Sequence, residues 1–411
     1  MPLLWQRCCR SARTGDNGLV NRGNGGFNLP ALRSHNTALV LDLLRGAGTR
    51  GLPGIGRGEL AERTGLTPQA VSKITARLRA EGLVAEAGRG ESTGGKPRTL
   101  LRLVPEAGHA VGVHLDRDEL RVVRLDLAGQ VVAERRGPLD FGAGPEAVVD
   151  EVVRAVRAAA PVGMAVPEGA PVPEGAPVPE GAPVSEGTVV PDGAAVLDGT
   201  AVLGVGVAAP GPLDRRAGVL GRVTGYPAWA GFALREVLEG RLGVPVLLDK
   251  DTNAGAAEAA VMGAGDSVYV HVGTGVGAGL CLGGEVYRGG RSGAGEFGHQ
   301  VLLLDGPTCR CGARGCVEVL CLDAVARGDT AEAARVLGEA AANLVALLDV
   351  DRVLLGGRVV AAAPAAFVTG VGAVLAARAL GPTTATVALA PGGVAEGAAE
   401  LVLGPVFGRA R

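Results

Sequence analysis

The chain has 411 residues, too many for one compact domain, so two or three folded units are expected. Hydrophobic residues make up 47% and aromatics only 3%, so the core must be built from Val, Leu and Ala, and 68 glycines imply many tight turns and close backbone approaches. A formal net charge of −2 excludes a global attraction to nucleic acid and leaves only a local one, and without a run of about 18 apolar residues no helical membrane span is expected.

Residues 1–28 are rich in Gly, Asn and Arg without an apolar period and read as a disordered extension. Met1 to Arg10 lack a continuous apolar stretch, so no signal peptide is expected and the chain reads as cytoplasmic.

Residues 29–104 form the first unit, helical at first and closing in a short hairpin. A helix is expected to stop at Gly65, Leu66 bridges a turn, Thr67 can N-cap the next helix and Pro68 suits its first position. At about 100° per residue, Val71, Ile74 and Leu78 share one face and should be buried. Gln69, Ser72, Lys73 and Ala76 point the other way, a short polar face with one cation that suits a major groove. The hairpin pairs Leu83–Ala85 with Leu100–Leu103 around a glycine-rich loop carrying Arg89, Lys96 and Arg98, whose charges could reach phosphates or a minor groove. Basic residues outnumber acidic ones here by about two to one, against the slightly acidic whole. The unit reads as a winged helix-turn-helix that binds double-stranded DNA, as a homodimer or higher homo-oligomer on a two-fold operator.

From Gly108 to about residue 405, Val-rich strands alternate with Ala-rich helices, an α/β pattern. Residues 161–200 interrupt it between a helix at Ala147–Ala159 and a strand at Val202–Ala208. They repeat Pro167-Glu168-Gly169-Ala170 as Pro173-Glu174-Gly175-Ala176 and Pro179-Glu180-Gly181-Ala182. Such spacing of proline forbids helix and removes ladder donors, so this is a low-complexity surface insertion.

Three of the seven cysteines cluster. Gly295-Glu296-Phe297-Gly298-His299 precedes Cys309-Arg310-Cys311 and Cys316. Three thiolates and one imidazole make a tetrahedral set of the structural zinc type, with His299, Cys309, Cys311 and Cys316 as ligands, and favour a reducing compartment over disulfides. Gly273-Thr274-Gly275-Val276-Gly277 follows a strand at Val268–Val272, and its amides could cradle an anion.

Together these features resemble the ROK family of repressors and sugar kinases, over roughly residues 30–405 apart from the repeat, and the helix-turn-helix points to its xylose-repressor-like branch. The resemblance implies a two-lobed, actin-like sensor domain that takes a sugar or sugar derivative. By it, Glu296, His299 and Glu318 match residues that bond sugar hydroxyls. Asp251 matches the catalytic base, and Leu354-Leu355-Gly356-Gly357 the adenosine-side turn. Where the family has Glu-Asn-Asp-x-Asn, this chain has Asp249-Lys250-Asp251-Thr252-Asn253, so Lys250 replaces a sugar-binding Asn, where it could neutralise Asp251 or favour an anionic ligand. Gly225-Tyr226-Pro227-Ala228-Trp229 also lacks the Asn often found there.

The kinases carry Asp-x-Gly-Gly-Thr after the first strand; this chain reads His114-Leu115-Asp116-Arg117-Asp118. Side chains fill the space where backbone must approach phosphate, and Asp116 and Asp118 would face a polyanion. Productive ATP binding is therefore not expected. The segment between Glu318 and a helix at Ala331–Leu348 is shorter than usual in the family, which puts one wall of the sensor in question. The expectation is a non-catalytic, sugar-responsive transcription regulator, a repressor of carbohydrate genes. The competing readings are an active sugar kinase and a DNA-binding protein whose sensor has decayed.

Overall fold

A computed structural model describes residues 29–89, 98–159, 202–381 and 384–409. The expected extension at 1–28, Lys96 and the repeat at 161–200 lie outside the described residues. The chain divides into two compact units, residues 1–103 with 406–408, and residues 104–405 with 409–411.

The first unit runs α1 (Leu29–Thr49), β1 (Ile55–Gly56), α2 (Arg57–Thr64), α3 (Pro68–Ala80), β2 (Val84–Arg89) and β3 (Thr99–Leu103). The strands form one antiparallel sheet ordered β1-β3-β2. Gly65 closes α2 at φ 70°, a left-handed conformation that glycine adopts without a Cβ penalty. Thr67 Oγ1 accepts the Ala70 amide at 3.2 Å and Pro68 opens α3, so the turn is built as its sequence dictates. Leu44, Ile55, Leu60, Val71, Leu78 and Leu101 fill the core. The expected buried face of α3 needs one correction: Ile74 is only half-buried, and Thr75 is buried in its place. Its hydroxyl survives burial by donating to the Val71 carbonyl at 2.8 Å.

The second unit runs β4 (His109–Leu115), β5 (Glu119–Asp126), β6 (Val131–Pro138), α4 (Pro145–Ala159), β7 (Val202–Ala209), β8 (Leu213–Asp214), β9 (Val219–Leu220), α5 (Leu234–Leu242), β10 (Val246–Lys250) and α6 (Asp251–Val261). It continues with β11 (Ser267–Val272), β12 (Val276–Leu282), β13 (Glu285–Tyr287), α7 (Val317–Ala326), α8 (Thr330–Leu348), β14 (Arg352–Gly356), α9 (Arg358–Ala362), α10 (Pro364–Arg378), β15 (Thr386–Leu389) and α11 (Val394–Leu403). Two five-stranded sheets result, β10-β7-β4-β5-β6 and β13-β12-β11-β14-β15. Each is a three-stranded antiparallel meander extended by two parallel strands, so one strand order is used twice.

Helices α6 and α11 pack together, α11 on the first sheet and α6 on the second and on β7 and β10 of the first. A Cβ at Gly112 would lie 1.9 Å from the Ala395 carbonyl oxygen, and one at Gly206 would lie 1.8 Å from that of Ala398. Glycine and alanine are therefore required where helix meets sheet, which is why so aromatic-poor a chain can still close-pack. The first sheet's other face buries Val148, Val152, Leu234 and Trp229. Trp229 stacks on Phe141 with ring centroids 4.2 Å apart and donates to the Phe141 carbonyl at 3.1 Å. The second sheet's far face is covered by α7, α8 and α10, and only residues 327–329 separate α7 from α8.

Candidate functional site

A cavity of about 420 Å³ in the second unit gathers most of the sequence-nominated ligand residues. Lys250 ends β10, Asp251 opens α6, Thr274 and Gly275 come from the β11–β12 turn, and Gly277 from the start of β12. Glu296 and His299 come from the loop after β13, and Glu318 from the first turn of α7. Gly273 is not on the wall; its amide closes the turn on the Gly275 carbonyl at 2.9 Å.

The polar groups are tightly engaged. Lys250 is buried and its Nζ donates to the Ala294 carbonyl at 2.6 Å and to Glu296 Oε1 at 3.2 Å. The expectation that Lys250 neutralises Asp251 is corrected in part: its charge favours the Asp251 carboxylate, but its direct partner is Glu296. Beneath it, fully buried Asp249 accepts from the Lys250 amide at 2.8 Å, Asn253 Nδ2 at 2.9 Å and Arg288 Nε at 2.7 Å, with Arg215 at 3.4 Å. A buried carboxylate with two guanidiniums and two N–H donors is satisfied and rigid, so it fixes where Lys250 and Asp251 begin α6. Desolvation pushes the Asp251 pKa above the ordinary carboxylate value, against the pull of His271 and Lys250. Glu318 Oε2 accepts the Val276 amide at 3.0 Å, which ties α7 to the β11–β12 turn.

The β4–β5 turn carries the side chains expected to obstruct phosphate. Asp116 lines the cavity, accepts Thr274 Oγ1 at 2.5 Å and accepts its neighbour's amide, that of Arg117, at 2.7 Å. Burial opposes its charge, but the Thr274 hydrogen bond and nearby imidazoles hold its pKa below the usual range. Asp118 does not face this cavity as expected; it is half-exposed and forms a two-pronged pair with Arg358 at 2.8 and 2.6 Å. His114 is driven down to about 3 by burial and then by His271, whose ring centroid lies 5.5 Å away, so it is neutral, and its Nε2 has no partner among the described residues. A second cavity of about 690 Å³ adjoins at Asp116 and His271, and Leu355, Gly356 and Gly357 line it.

His299, Cys309, Cys311 and Cys316 bring one ligand atom each to within 4.8 Å of one another. Cys311 and Cys316 Sγ are 3.7 Å apart, and Cys309 Sγ is 3.8 Å from His299 Nδ1. Ligands at about 2.0–2.3 Å in a tetrahedron stand roughly 3.3–3.8 Å apart, so this set can hold a metal ion. The glycines place it. A Cβ at Gly298 would meet the Val276 carbonyl at 2.1 Å, so the loop lies directly on β12. Gly315, at φ 64°, would meet the Leu303 carbonyl at 1.7 Å. With Nδ1 facing the thiols, His299 also lines the cavity, so cluster and cavity share a side chain.

In the first unit, Gln69, Ser72, Lys73 and Ala76 are exposed on α3, as the helical period requires. Arg89 ends β2 and Arg98 precedes β3, both exposed. Arg77 and Arg79 are held within the unit, by Thr37 and Glu81 and by Glu86.

Among the cavity residues that sequence reading missed are two arginines. Arg117 was read only as an obstruction, although a long cation at a glycine position was the available signal. Arg222 lies three residues before Gly225, ahead of the stretch noted for its missing Asn, and it lines the cavity with Thr224. Tyr226, Pro227, Ala228 and Trp229 do not line it, and Trp229 is buried in the core. Among the described residues no helix is long and apolar enough to cross a membrane.

Residues 194–327 match the ROK family model. A putative xylose repressor of Caldicellulosiruptor sp. (strain Rt8B.4) is 30% identical over 272 residues, 64% of this chain and 59% of that protein. The chain thus spans about three fifths of the length of the curated relatives it matches. A ROK family transcriptional regulator, a homologue of the E. coli MLC protein, superposes with a TM-score of 0.67 at 18% identity, covering 92% of this chain and 97% of that one, a likeness of fold. A ROK hexokinase from Thermus thermophilus superposes at 0.51 with 27% identity, over 71% of this chain and 96% of that one. The family match and the likeness of fold agree: residues 194–327 match the ROK family model, within the unit that holds the doubled sheet and the His/Cys cluster.

Proposed function

We propose that the chain is a ligand-responsive transcription regulator, a repressor of carbohydrate genes, whose sensor domain binds a sugar derivative without phosphorylating it. The observation that carries the reading is the pairing of an exposed helix-turn-helix surface with a polar cleft whose first turn is filled by side chains. Gln69, Ser72 and Lys73 would meet base edges in a major groove, and Arg89, Lys96 and Arg98 the backbone, with two copies on a two-fold operator. Glu296, His299 and Glu318 would bond ligand hydroxyls, beside Asp251 and Lys250. Zinc suits the His299, Cys309, Cys311 and Cys316 set, where it would crosslink the loop that carries Glu296 and His299. Three clustered thiols that serve as ligands fit a reducing cytoplasm.

The kinase reading has one specific support, Asp251, a carboxyl with a raised pKa at the position of the family's base. Against it, the turn that would cradle phosphate offers Asp116 and Arg117 side chains instead of glycine backbone. Two assays test the proposal. Operator fragments recovered by genomic footprinting should bind the purified chain and be released by its ligand. Lys96→Ala or Arg98→Ala should weaken binding to all sequences roughly fivefold or more and reduce the salt slope by about one, whereas a change at Gln69 should alter sequence preference. Sugar-dependent ATP turnover that disappears in Asp251→Ala would defeat the non-kinase reading.

A further inference from the structure

The cavity of the second unit has an unbalanced set of charges. Its acids are committed: Glu296 to Lys250, Asp116 to Thr274 and its own turn, Glu318 to the Val276 amide, and Asp251 to the Thr252 amide at 2.6 Å. Its guanidiniums are not. Arg117 Nε is shut away from solvent without a partner among the described residues, and neither Arg117 nor Arg222 forms a side-chain ion pair with any of them. Arg117 Nη1 reaches across the cleft to within 2.8 Å of where a Cβ at Gly275 would stand, and Glu318 Oε2 to within 2.9 Å of the same point, so the β11–β12 turn must be glycine for this cation and this carboxylate to approach it. A desolvated guanidinium left unpaired is costly, and its fork matches a carboxylate or phosphate in two-pronged geometry.

We propose that the cleft takes a polyhydroxylated ligand bearing one anionic group, a carboxylate or a phosphate, which Arg117 binds beside the 273–277 turn. Arg222 adds a second cation to the same cavity, and the hydroxyls fall to Glu296, His299 and Glu318. The inference rests on the ligand-sensing reading above and specifies the chemistry of its ligand.

Calorimetric titration of the full chain tests it, with a matched panel of neutral pentoses and hexoses, their terminal phosphates and their uronates. At least one anionic member should bind ten or more times tighter than its neutral parent, and added salt should narrow the gap. Whether the tighter arm is the phosphate or the uronate identifies the group. Arg117→Gln should remove most of the gap while the neutral parent's affinity stays within about twofold, and Arg222→Gln should reduce it less; melting curves establish that both variants fold. A neutral sugar that binds as tightly as its anionic forms would overturn this inference and leave the sensor reading standing, as would a gap that survives both substitutions. No binding by any member of the panel would overturn both.

Discussion

The two sheets of the second unit use the same strand order, so their first hairpin turns are equivalent places in the fold. One joins β4 to β5 through Asp116, Arg117 and Asp118, and the other joins β11 to β12 through Gly273, Thr274 and Gly275. The second keeps the short backbone that lets amides approach an anion. The first is crowded with side chains that fold back on the protein: Asp116 takes the Thr274 hydroxyl, and Asp118 takes Arg358. One topology thus supports two chemistries, because strand order fixes only where a turn lies, and the side chains on it decide what it can bind. The first turn makes side-chain contacts to the second turn and to Arg358 where the second presents glycine backbone.

Removing what supports the second turn should break the comparison most severely. The His/Cys loop rests on β12 at Val276, immediately after that turn. Cys316→Ser should abolish binding of about one zinc per chain, measured by metal analysis, and cost about 3 kcal/mol, or roughly 6–12 °C of melting temperature. A variant that loses metal but melts like the parent would show that the ion does not support the cleft.

The next effect comes from below the first turn. His114, at the end of β4, titrates at about 3 when folded against an ordinary 6.5. A base with a depressed folded pKa contributes stability that is complete above pH 6.5 and lost as the pH falls toward 3. The slope is about 1.4 kcal/mol per pH unit, or about 2 kcal/mol by pH 5. Denaturant titrations at pH 7 and pH 5 should show this loss in the parent and a smaller one in His114→Gln. Equal acid sensitivity in both would place the burden on another group.

The smallest effect sharpens the link between the two turns. Thr274→Val deletes the hydroxyl that donates to Asp116 and should cost about 1–2 kcal/mol. Asp116, held below the ordinary carboxylate value, stabilises the fold above pH 3.8 and ceases to as the pH falls through its folded pKa. Removing its donor should raise that pKa toward the ordinary value, so the stability lost below pH 3.8 should be smaller in Thr274→Val than in the parent. If the loss is the same in both, the two turns are not coupled through this bond.

The sequence by itself determined the helix-turn-helix, because its stop and start signals are local. Gly65 must be left-handed, Thr67 must cap, and neither depends on anything distant. It also determined the His299, Cys309, Cys311 and Cys316 cluster, since thiols packed into a few residues beside an imidazole can converge within one loop. Tertiary structure decided the rest. The period of α3 nominated Ile74 for burial, but neighbouring elements cover Thr75 instead, and its hydroxyl is silenced by a local carbonyl. Lys250 and Asp251 are adjacent in sequence, yet Lys250 reaches Glu296, 46 residues away, because β10 delivers it opposite the loop after β13. Asp118 looked like an obstruction until folding brought Arg358 to it, 240 residues along the chain. Arg117 and Arg222, 105 positions apart in the chain, line one cavity only because the folded chain brings them together. Backbone signals act within a few residues and are written in order, whereas an ion pair or a cavity wall depends on distances that only the closed chain sets.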